Sequence, residues 1–379
     1  MRILIDCSQI PQNKSGVGNY AVNLVREIAL HDKVNTYFVL VQSDEAAFDE
    51  IKNEKLHIIY VKSRVFRKLL FRFLLEQFFI PYFMLTHRIH LVHSLHYSFP
   101  LITFGRKKAV TLADMTFFLM PMNHTAFKRH YFRIFIMLAA ILANRIIAIS
   151  ESTRQDFLKR FRGAERKVVA IPLGKPNLET QGDSHKTLAA KHPKFDLNGE
   201  YILFIGTLEP RKNLKTLILA YHRLNQKKPI GPLMVVGGRG WGYEDIFRLV
   251  SNLGLEKKVI FTGFIDDREK FNLLQRATVF VYPSLYEGFG IPVLEALSLG
   301  VPTITSNVSS MPEVAGDAAL LVDPLNVCQL SAALKDLLEN PSLRQKLSIK
   351  GIEQASKFNW EKTAKETIAV YGEALKCVQ

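Results

Sequence analysis

The sequence predicts an α/β protein with two doubly wound parallel sheets, and three observations carry this prediction. The chain has 379 residues, of which 48% are apolar, and this is enough for two domains of ordinary size with separate cores. Short apolar runs alternate with helical stretches throughout, which is typical of strand–helix–strand units. A polar stretch without sustained periodicity, residues 174–199, interrupts the alternation. We therefore predict one domain over 1–175 and a second over 176–357, with the polar stretch as the linker region.

The apolar runs place the predicted strands in chain order. In the first domain they are 3–5, 37–41, 58–61, 91–93, 109–112, 145–149 and 168–171, and in the second they are 201–205, 233–236, 259–262, 279–282, 303–305 and 320–322. Ligands of doubly wound sheets bind outside the carboxyl ends of the strands. Site residues are therefore expected in the loops that follow the strands.

The positive charge of the chain is concentrated in the first domain. The formal net charge is +15, and residues 1–175 contain 26 Lys and Arg against 13 Asp and Glu, whereas the rest contains 24 against 22. No nucleic-acid recognition motif accompanies this charge. We therefore expect an anionic membrane surface as a partner, and no nucleic acid.

The sequence predicts a cytoplasmic protein. Residues 1–6 are predicted to form the first strand, so no signal peptide is expected, and the longest uninterrupted apolar run, 134–143, is shorter than the ~20 residues that cross a bilayer. The three cysteines have no metal-like spacing, so neither a disulfide framework nor a zinc site is expected. We therefore expect the protein to lie in a reducing compartment. Together with the predicted membrane partner, this places it at the inner face of the cell membrane.

An amphipathic helix is predicted between residue 64 and Pro81, which ends or kinks it. Its basic side chains fall on one side of a helical wheel, opposite Phe and Leu side chains; they are Arg64, Arg67, Lys68 and Arg72. Such a helix is typical of a membrane-surface element. The alternative is a domain helix whose apolar stripe faces its own core and whose basic face is only solvated.

Two carboxylates, Glu287 and Glu295, lie eight residues apart in Y-E-G-F-G-I-P-V-L-E, where a predicted strand gives way to a helix. A Gly-containing turn at this position presents backbone N–H groups to an anion. Taken by themselves, the two carboxylates have two interpretations. They are either functional groups or acidic residues at a helix N-terminus, where the helix dipole favours them.

A second loop, G-T-L-E-P-R-K-N, follows strand 201–205 and places Arg211 and Lys212 at a predicted helix start. Cations there oppose the helix dipole at a cost of ~0.3–1 kcal/mol, which a bound diphosphate would reverse. The alternative is an ordinary solvated pair.

These motifs resemble the signature of the retaining glycosyltransferases of the GT-B fold, family 4, also called group 1. The resemblance extends to G-V-P-T at 300–303 and P-E-V-A-G-D at 312–317. It implies two Rossmann-like domains facing across a cleft, with the acceptor bound by the first domain and the nucleotide-sugar donor by the second. It also implies a last helix within 358–379 that packs back on the first domain, and an enzyme that needs no metal or cofactor.

The resemblance further implies roles for individual residues. Glu287 would bind hydroxyls of the donor sugar, Glu295 the ribose, and Arg211 with Lys212 the departing diphosphate, while the backbone around Phe264 would read the base. The expected catalytic residues are Glu287, Arg211, Lys212 and Asp114, and the expected donor-binding residues are Gly16, Gly18, Gly206, Phe264, Phe289, Gly290, Ile291 and Glu295.

One position departs from the family pattern. In V-T-L-A-D-M-T-F-F the strand-end histidine that commonly contacts the donor sugar is Ala113, next to Asp114. Either Asp114 or one of His93, His96 and His124 replaces it, or the donor sugar differs from the common case, or activity is lost.

Taken with the resemblance, the sequence predicts a retaining, metal-independent hexosyltransferase of the mannosyl or rhamnosyl type. The expected donor is GDP-mannose, and the expected acceptor is a lipid-linked saccharide in surface polysaccharide or lipopolysaccharide synthesis. The alternatives are a sugar-nucleotide epimerase of the same architecture and a non-catalytic basic protein that binds membranes or nucleic acid.

Overall fold

The computed structural model describes residues 1–10, 16–176 and 199–376. The chain divides into two compact units, Met1–Gly174 with Asn359–Gln379, and Lys175–Phe358. Each unit is built on a parallel sheet, which confirms the predicted fold class. Most of the predicted linker region, residues 177–198, lies outside the described residues.

The described part of the first unit contains a seven-stranded parallel sheet of order β3-β2-β1-β4-β5-β6-β7. Its strands are Arg2–Asp6 (β1), Thr36–Gln42 (β2), Leu56–Val61 (β3), Leu91–Ser94 (β4), Lys107–Leu112 (β5), Arg145–Ala148 (β6) and Val168–Ala170 (β7). Its helices are Gly16–His31 (α1), Ser63–Phe66 (α2), Leu69–Leu74 (α3), Ile80–Thr86 (α4), Thr116–Leu119 (α5), Ala126–Leu142 (α6) and Glu151–Arg160 (α7), with 3₁₀ turns at Ala46–Phe48 and Pro121–Asn123.

The strand order of this sheet reverses between β1 and β4. These strands pair in parallel, with Asp6 opposite Ser94 at their carboxyl ends. Both residues are fully buried, because helices cover both faces of a sheet of this type. The space outside this pair is the topological switch point, where doubly wound sheets bind ligands.

One continuous helix runs from Leu69 to Thr86 and consists of α3, a π-type turn over Leu75–Phe79, and α4. Within the described ranges it is the one helix that is long and apolar enough to cross a membrane, with a mean hydropathy of 1.3. Length and composition fit a core helix equally well, and this helix contributes Leu75, Ile80, Phe83 and Met84 to a hydrophobic core.

The prediction of a basic face on this helix is wrong in two respects. Arg67 and Lys68 precede the helix, because Lys68 is extended and α3 begins after it, and Arg67 is ion-paired with Asp44. The side chain of Arg72 is only 11% exposed and lies 3.5 Å from Glu76. Arg64 lies in α2, and its side chain is outside the described residues.

Pro81 does not end or interrupt this helix, contrary to one of the expectations. It falls in the first turn of α4, directly after the π-type turn. The π-type turn before it already departs from the regular i→i−4 hydrogen-bond pattern, so a proline disrupts less there than inside a regular α-helix. The helix therefore continues to Thr86 with one face on the domain core.

The described part of the second unit contains a six-stranded parallel sheet of order β10-β9-β8-β11-β12-β13. Its strands are Ile202–Ile205 (β8), Leu233–Val236 (β9), Val259–Gly263 (β10), Val279–Tyr282 (β11), Thr303–Ser306 (β12) and Leu320–Val322 (β13). Its helices are Leu214–Lys227 (α8), Glu244–Asn252 (α9), Asp267–Arg276 (α10), Ile291–Ser298 (α11), Met311–Ala315 (α12), Val327–Glu339 (α13) and Pro341–Ser356 (α14), with a 3₁₀ turn at Pro210–Lys212. Its switch point lies between β8 and β11.

The last helix, Trp360–Lys376 (α15), belongs to the first unit although it follows the second in the chain. Thr363 Oγ1 donates to the carbonyl of Pro172 at 2.7 Å, and Tyr371 OH lies 2.7 Å from His93 Nδ1. Gly174 is required at the crossing, because a Cβ there would lie 2.3 Å from the backbone nitrogen of Trp360.

Candidate functional site

Glu287 is the centre of a buried polar cluster at the switch point of the second sheet. It lies in the loop after β11, and its Oε1 accepts from Lys212 Nζ at 2.7 Å, Ser284 Oγ at 2.7 Å and Tyr282 OH at 2.9 Å. Its Oε2 accepts from Arg211 Nη1 at 2.7 Å. The structure therefore brings together three of the four residues that the sequence predicts to be catalytic.

The charges of this cluster are strongly coupled. Burial alone would raise the pKa of Glu287, but Lys212 and Arg211 outweigh it and lower that pKa to about 2. The pKa of Lys212 is lowered, because burial and the neighbouring guanidinium outweigh the attraction of the carboxylate. Burial would also lower the pKa of Arg211, but Glu287 and Glu209 raise it above its ordinary value. The site thus holds an ionised carboxylate paired with both Arg211 and Lys212.

The loop after β8 is held in place by a left-handed residue. Arg211 and Lys212 lie in the 3₁₀ turn, and Asn213 follows with a φ of 57°. Its side-chain amide donates to the carbonyls of Pro283, at 3.0 Å, and Pro324, at 2.6 Å. The two cations therefore precede α8 rather than lying in its first turn, and nearby carboxylates balance their charge. The prediction that these two residues oppose the helix dipole is therefore wrong.

The Gly-containing turn before α11 requires a glycine at position 290. Gly290 has a φ of 107° and caps the helix, a conformation that L side chains rarely adopt. A Cβ there would also lie 2.3 Å from Met311 Cε. Phe289 is buried and its carbonyl accepts from Ser310 Oγ at 2.7 Å, while Ile291 is the first residue of the helix. Gly206 directly follows β8, and its N–H donates to the carbonyl of Val236 at 2.8 Å.

Glu295 is buried and forms an ion pair with a residue that the sequence reasoning missed. It is the fifth residue of α11, about one turn in, and its Oε1 lies 2.8 Å from Lys270 Nζ. Burial raises the pKa of Glu295 even though Lys270 opposes this shift. Burial lowers the pKa of Lys270, but Glu295 and Asp267 raise it overall. Lys270 lies in α10, just after the predicted base-reading loop, in which Phe264 is 75% exposed.

Asp114, the fourth expected catalytic residue, lies in the first unit after β5. Its Oδ1 accepts from Tyr97 OH at 2.8 Å, Thr116 N at 2.9 Å and Thr116 Oγ1 at 2.7 Å. These contacts hold the carboxylate against the start of α5. Gly16 and Gly18 lie in the first turn of α1, and residues 11–15, which precede them, are outside the described residues.

The three histidines considered as replacements for Ala113 have different surroundings. His93 is fully buried between Thr111 and Tyr371, and burial lowers its pKa to about 3, so it is a neutral core residue. His124 Nε2 lies 2.9 Å from Thr116 Oγ1, and Thr116 also contacts Asp114. His96 is partly buried, with its ring 4.5 Å from that of Tyr97. Of the three, His124 is linked to Asp114 through a shared hydroxyl.

The described residues contain no group of three His, Cys, Asp or Glu side chains that is placed to hold a metal ion. Cys7 is a buried free thiol and Cys328 an exposed one, and Cys377 lies outside the described residues.

Comparisons with known proteins agree with this geometry. The family model "Glycosyl transferases group 1" matches residues 186–354, and "Glycosyltransferase Family 4" matches residues 14–174. The chain is 28% identical to the O-antigen chain mannosyltransferase B of Escherichia coli over 98% of this chain and 99% of that protein.

Solved structures share the fold. The chain is similar to a sucrose-phosphate synthase from Thermosynechococcus elongatus, with a TM-score of 0.75, 20% identity and 99% coverage of both chains. It is also similar to the Anabaena protein HepE, solved with UDP-glucose, with a TM-score of 0.74, 17% identity and coverage of 98% and 100%. The chain therefore belongs to glycosyltransferase family 4, the group 1 glycosyl transferases of the GT-B fold, and is an enzyme that transfers a sugar from a nucleotide sugar.

Proposed function

We propose that this chain is a retaining, metal-independent mannosyltransferase. Mannose would move from GDP-mannose to a hydroxyl of a lipid-linked saccharide during synthesis of a surface polysaccharide or lipopolysaccharide. The observation that carries the proposal is the cluster of Arg211, Lys212 and Glu287 at the switch point of the second sheet, where doubly wound sheets bind their ligands. The choice of mannose is supported by the 28% identity to an O-antigen mannosyltransferase.

The two cations are suited to a diphosphate leaving group. Negative charge develops on a departing nucleoside diphosphate, and preorganised cations in a buried site stabilise it. The side chains of Arg211 and Lys212 are 17% and 11% exposed, so their charges act where the effective dielectric constant is low. We infer that the diphosphate takes over part of the charge balance on binding and leaves Glu287 available to the sugar hydroxyls.

Glu287 is proposed as a sugar-binding group rather than a nucleophile. Its carboxylate already accepts from four side chains, and its pKa of about 2 makes it a weak base. Retention would instead follow from attack by the acceptor hydroxyl on the face from which the diphosphate leaves. A phosphate oxygen would then take the proton of that hydroxyl.

A peripheral location at the inner face of the cell membrane is part of the proposal. The helix Leu69–Thr86 exposes large apolar side chains spaced mostly four residues apart, namely Leu70, Phe71, Leu74, Phe78, Tyr82 and Leu85. This spacing places them in one stripe, opposite the side chains that pack in the core. Such a stripe is suited to the lipid headgroup region, and the basic excess of the first unit would attract anionic lipids.

A donor panel and a transfer assay test the proposal. Thermal shifts with GDP-, UDP-, dTDP- and ADP-sugars identify the donor, because a ligand at 100 times its Kd adds ~2.7 kcal/mol of stability. The purified protein is then incubated with GDP-mannose and mannosides carrying a lipid tail, with EDTA in excess. We expect an α-linked product by NMR, at a rate that EDTA does not change.

The other outcomes separate the alternatives. A β-linked product would refute retention, and a loss of rate with EDTA would refute metal independence. A thermal shift with UDP-sugars but not with GDP-mannose would show that the donor is a UDP-sugar and not GDP-mannose. Epimerised donor in the absence of acceptor would instead establish the epimerase reaction.

A further inference from the structure

A second buried polar cluster lies at the switch point of the first sheet. Asp6 ends β1, Ser94 ends β4, and Ser98 follows β4, while Arg72 and Glu76 project from the helix above them. Asp6, Glu76, Ser94 and Ser98 are fully buried, and the side chain of Arg72 is 11% exposed. The cluster has the same place in its sheet as the Glu287 cluster has in the other.

Several polar atoms of this cluster have no hydrogen-bond partner. Glu76 Oε1 accepts from Ser98 Oγ at 2.8 Å and from Gln9 Nε2 at 3.1 Å. Within the described residues, however, Glu76 Oε2, Asp6 Oδ2, Arg72 Nη2 and Ser94 Oγ are buried without a partner. By contrast, both oxygens of the Glu287 carboxylate are paired. Leaving buried polar groups unpaired is costly, so this cluster is suited to a ligand that brings its own donors and acceptors.

Gln9 is a partly exposed residue in contact with the cluster. Its amide nitrogen donates to Glu76, and its own Oε1 is unpartnered. A hydroxyl group of a ligand can replace the hydrogen bond from Gln9 to Glu76 without breaking a strand or a helix. Movement of the Gln9 side chain would free the Oε1 atom of Glu76 for a ligand hydroxyl.

The charges of the cluster select an uncharged ligand. Two carboxyl groups, Asp6 and Glu76, lie near one guanidinium, that of Arg72, and burial raises the pKa of Glu76 to about 8 and also raises that of Asp6. The cluster therefore already resists a second negative charge near neutral pH, and an anionic ligand would increase that cost. Adjacent sugar hydroxyls, each a donor and an acceptor, match its mixed set of free atoms.

We propose that the cluster of Asp6, Arg72, Glu76 and Ser94 is the acceptor-sugar pocket, which binds adjacent hydroxyls of an uncharged hexose at the end of the acceptor chain. This inference rests on the proposed transferase function. The inference extends the proposed function, because it assigns acceptor residues in the first unit. It also excludes uronic acids and sugar phosphates as the sugar bound there.

Direct binding tests the pocket without relying on turnover. The intact protein is titrated with methyl α-glycosides of mannose, rhamnose, glucose and galactose, and with mannose 6-phosphate, using ligand-observed NMR. We expect at least one neutral glycoside to bind at least tenfold more tightly than the phosphate. Binding of GDP-mannose is measured on the same samples.

Two variants separate a binding role from a structural one. Ser94→Ala removes a buried hydroxyl that has no hydrogen-bond partner within the described residues, so it should leave Tm unchanged or higher while weakening glycoside binding about fivefold or more. Glu76→Gln should weaken glycoside binding at least tenfold and leave the Kd for GDP-mannose unchanged. Glu54→Gln, the same substitution on the surface of the same unit, is the control and should change neither.

The outcomes distinguish this inference from the function on which it rests. If the wild-type protein binds nucleotide sugars but none of the neutral glycosides, or if both variants bind glycosides within twofold of wild type, the pocket assignment is overturned and the transferase function stands. If the protein binds no nucleotide sugar, the proposed function itself fails.

Discussion

Replacing Glu287 by Gln is the sharpest test of the donor site, because it removes one charge and keeps the shape of the side chain. The pKa of Glu287 is about 2, against an ordinary value of 4.5. This difference corresponds to about 3 kcal/mol of stabilisation of the ionised form at neutral pH. Removing one partner of a buried ion pair typically costs ~3–5 kcal/mol. We therefore expect Glu287→Gln to lower the free energy of unfolding of the second unit by about 3 kcal/mol at pH 7.

The same substitution separates phosphate binding from sugar binding. In the variant, Arg211 and Lys212 lose the carboxylate that they share, so GDP alone should bind as tightly as to wild type or more tightly. Turnover with GDP-mannose should fall by ~10²-fold or more, because the donor sugar loses its positioning contact. Denaturation curves, calorimetric titration with GDP and initial rates measure the three effects. Glu256→Gln, an exposed change in the same unit, is the control and should show none of them.

The pH dependence provides a second check on the reasoning. The depressed pKa of Glu287 means that its stabilising contribution is complete above pH 4.5 and is lost as the pH falls towards 2. The stability difference between wild type and Glu287→Gln should therefore shrink over that range. A folded Glu287→Gln protein with turnover within tenfold of wild type, or with no measurable affinity for GDP, would refute the assigned roles.

Three further predictions concern other parts of the molecule. Lys270→Met should weaken binding of nucleotide sugars about tenfold in calorimetric titrations, because its buried carboxylate partner would lose its counterion and its alignment; unchanged affinity would argue against a ribose-binding role. The pKa of Glu76 is raised to about 8, so the folded state loses stability as the pH rises from 4.5 to 8. The Tm of Glu76→Gln minus that of wild type should therefore increase as the pH rises over this range. A Tm difference that does not change with pH would contradict a buried protonated carboxyl. Phe78→Gln with Tyr82→Gln should reduce partitioning onto anionic vesicles several-fold in a sedimentation assay, while Leu325→Gln, exposed in the other unit, should have no effect; equal partitioning of all three proteins would remove the helix as the membrane contact.

The strands and the donor loops were predictable because their signals are local. Apolar runs identify parallel strands that are buried on both faces, and the predicted strands match the observed ones to within a few residues. Glu287 was predictable from its motif, and Gly290 from the turn that it must form, since its φ of 107° disfavours other residues.

The errors arose where a prediction depended on long-range packing. The helical wheel placed Arg72 on a solvated face, but this side chain packs towards Glu76 and the ring of Phe132. Lys270 carries no motif of its own and is recognised only by its distance from Glu295. A periodicity argument describes one helix at a time and does not include the neighbours that bury one of its faces.

The sequence by itself therefore determined the fold class, the family and the loops that carry the donor-site residues. Only the tertiary structure decided which charges meet: Glu287 is joined to Arg211 and Lys212 across 75 or more residues of chain, and Asp6 lies at the same switch point as Ser94. The physical reason is that strand order sets these contacts. Hydrophobic patterns identify strands but carry little information about which strands become neighbours.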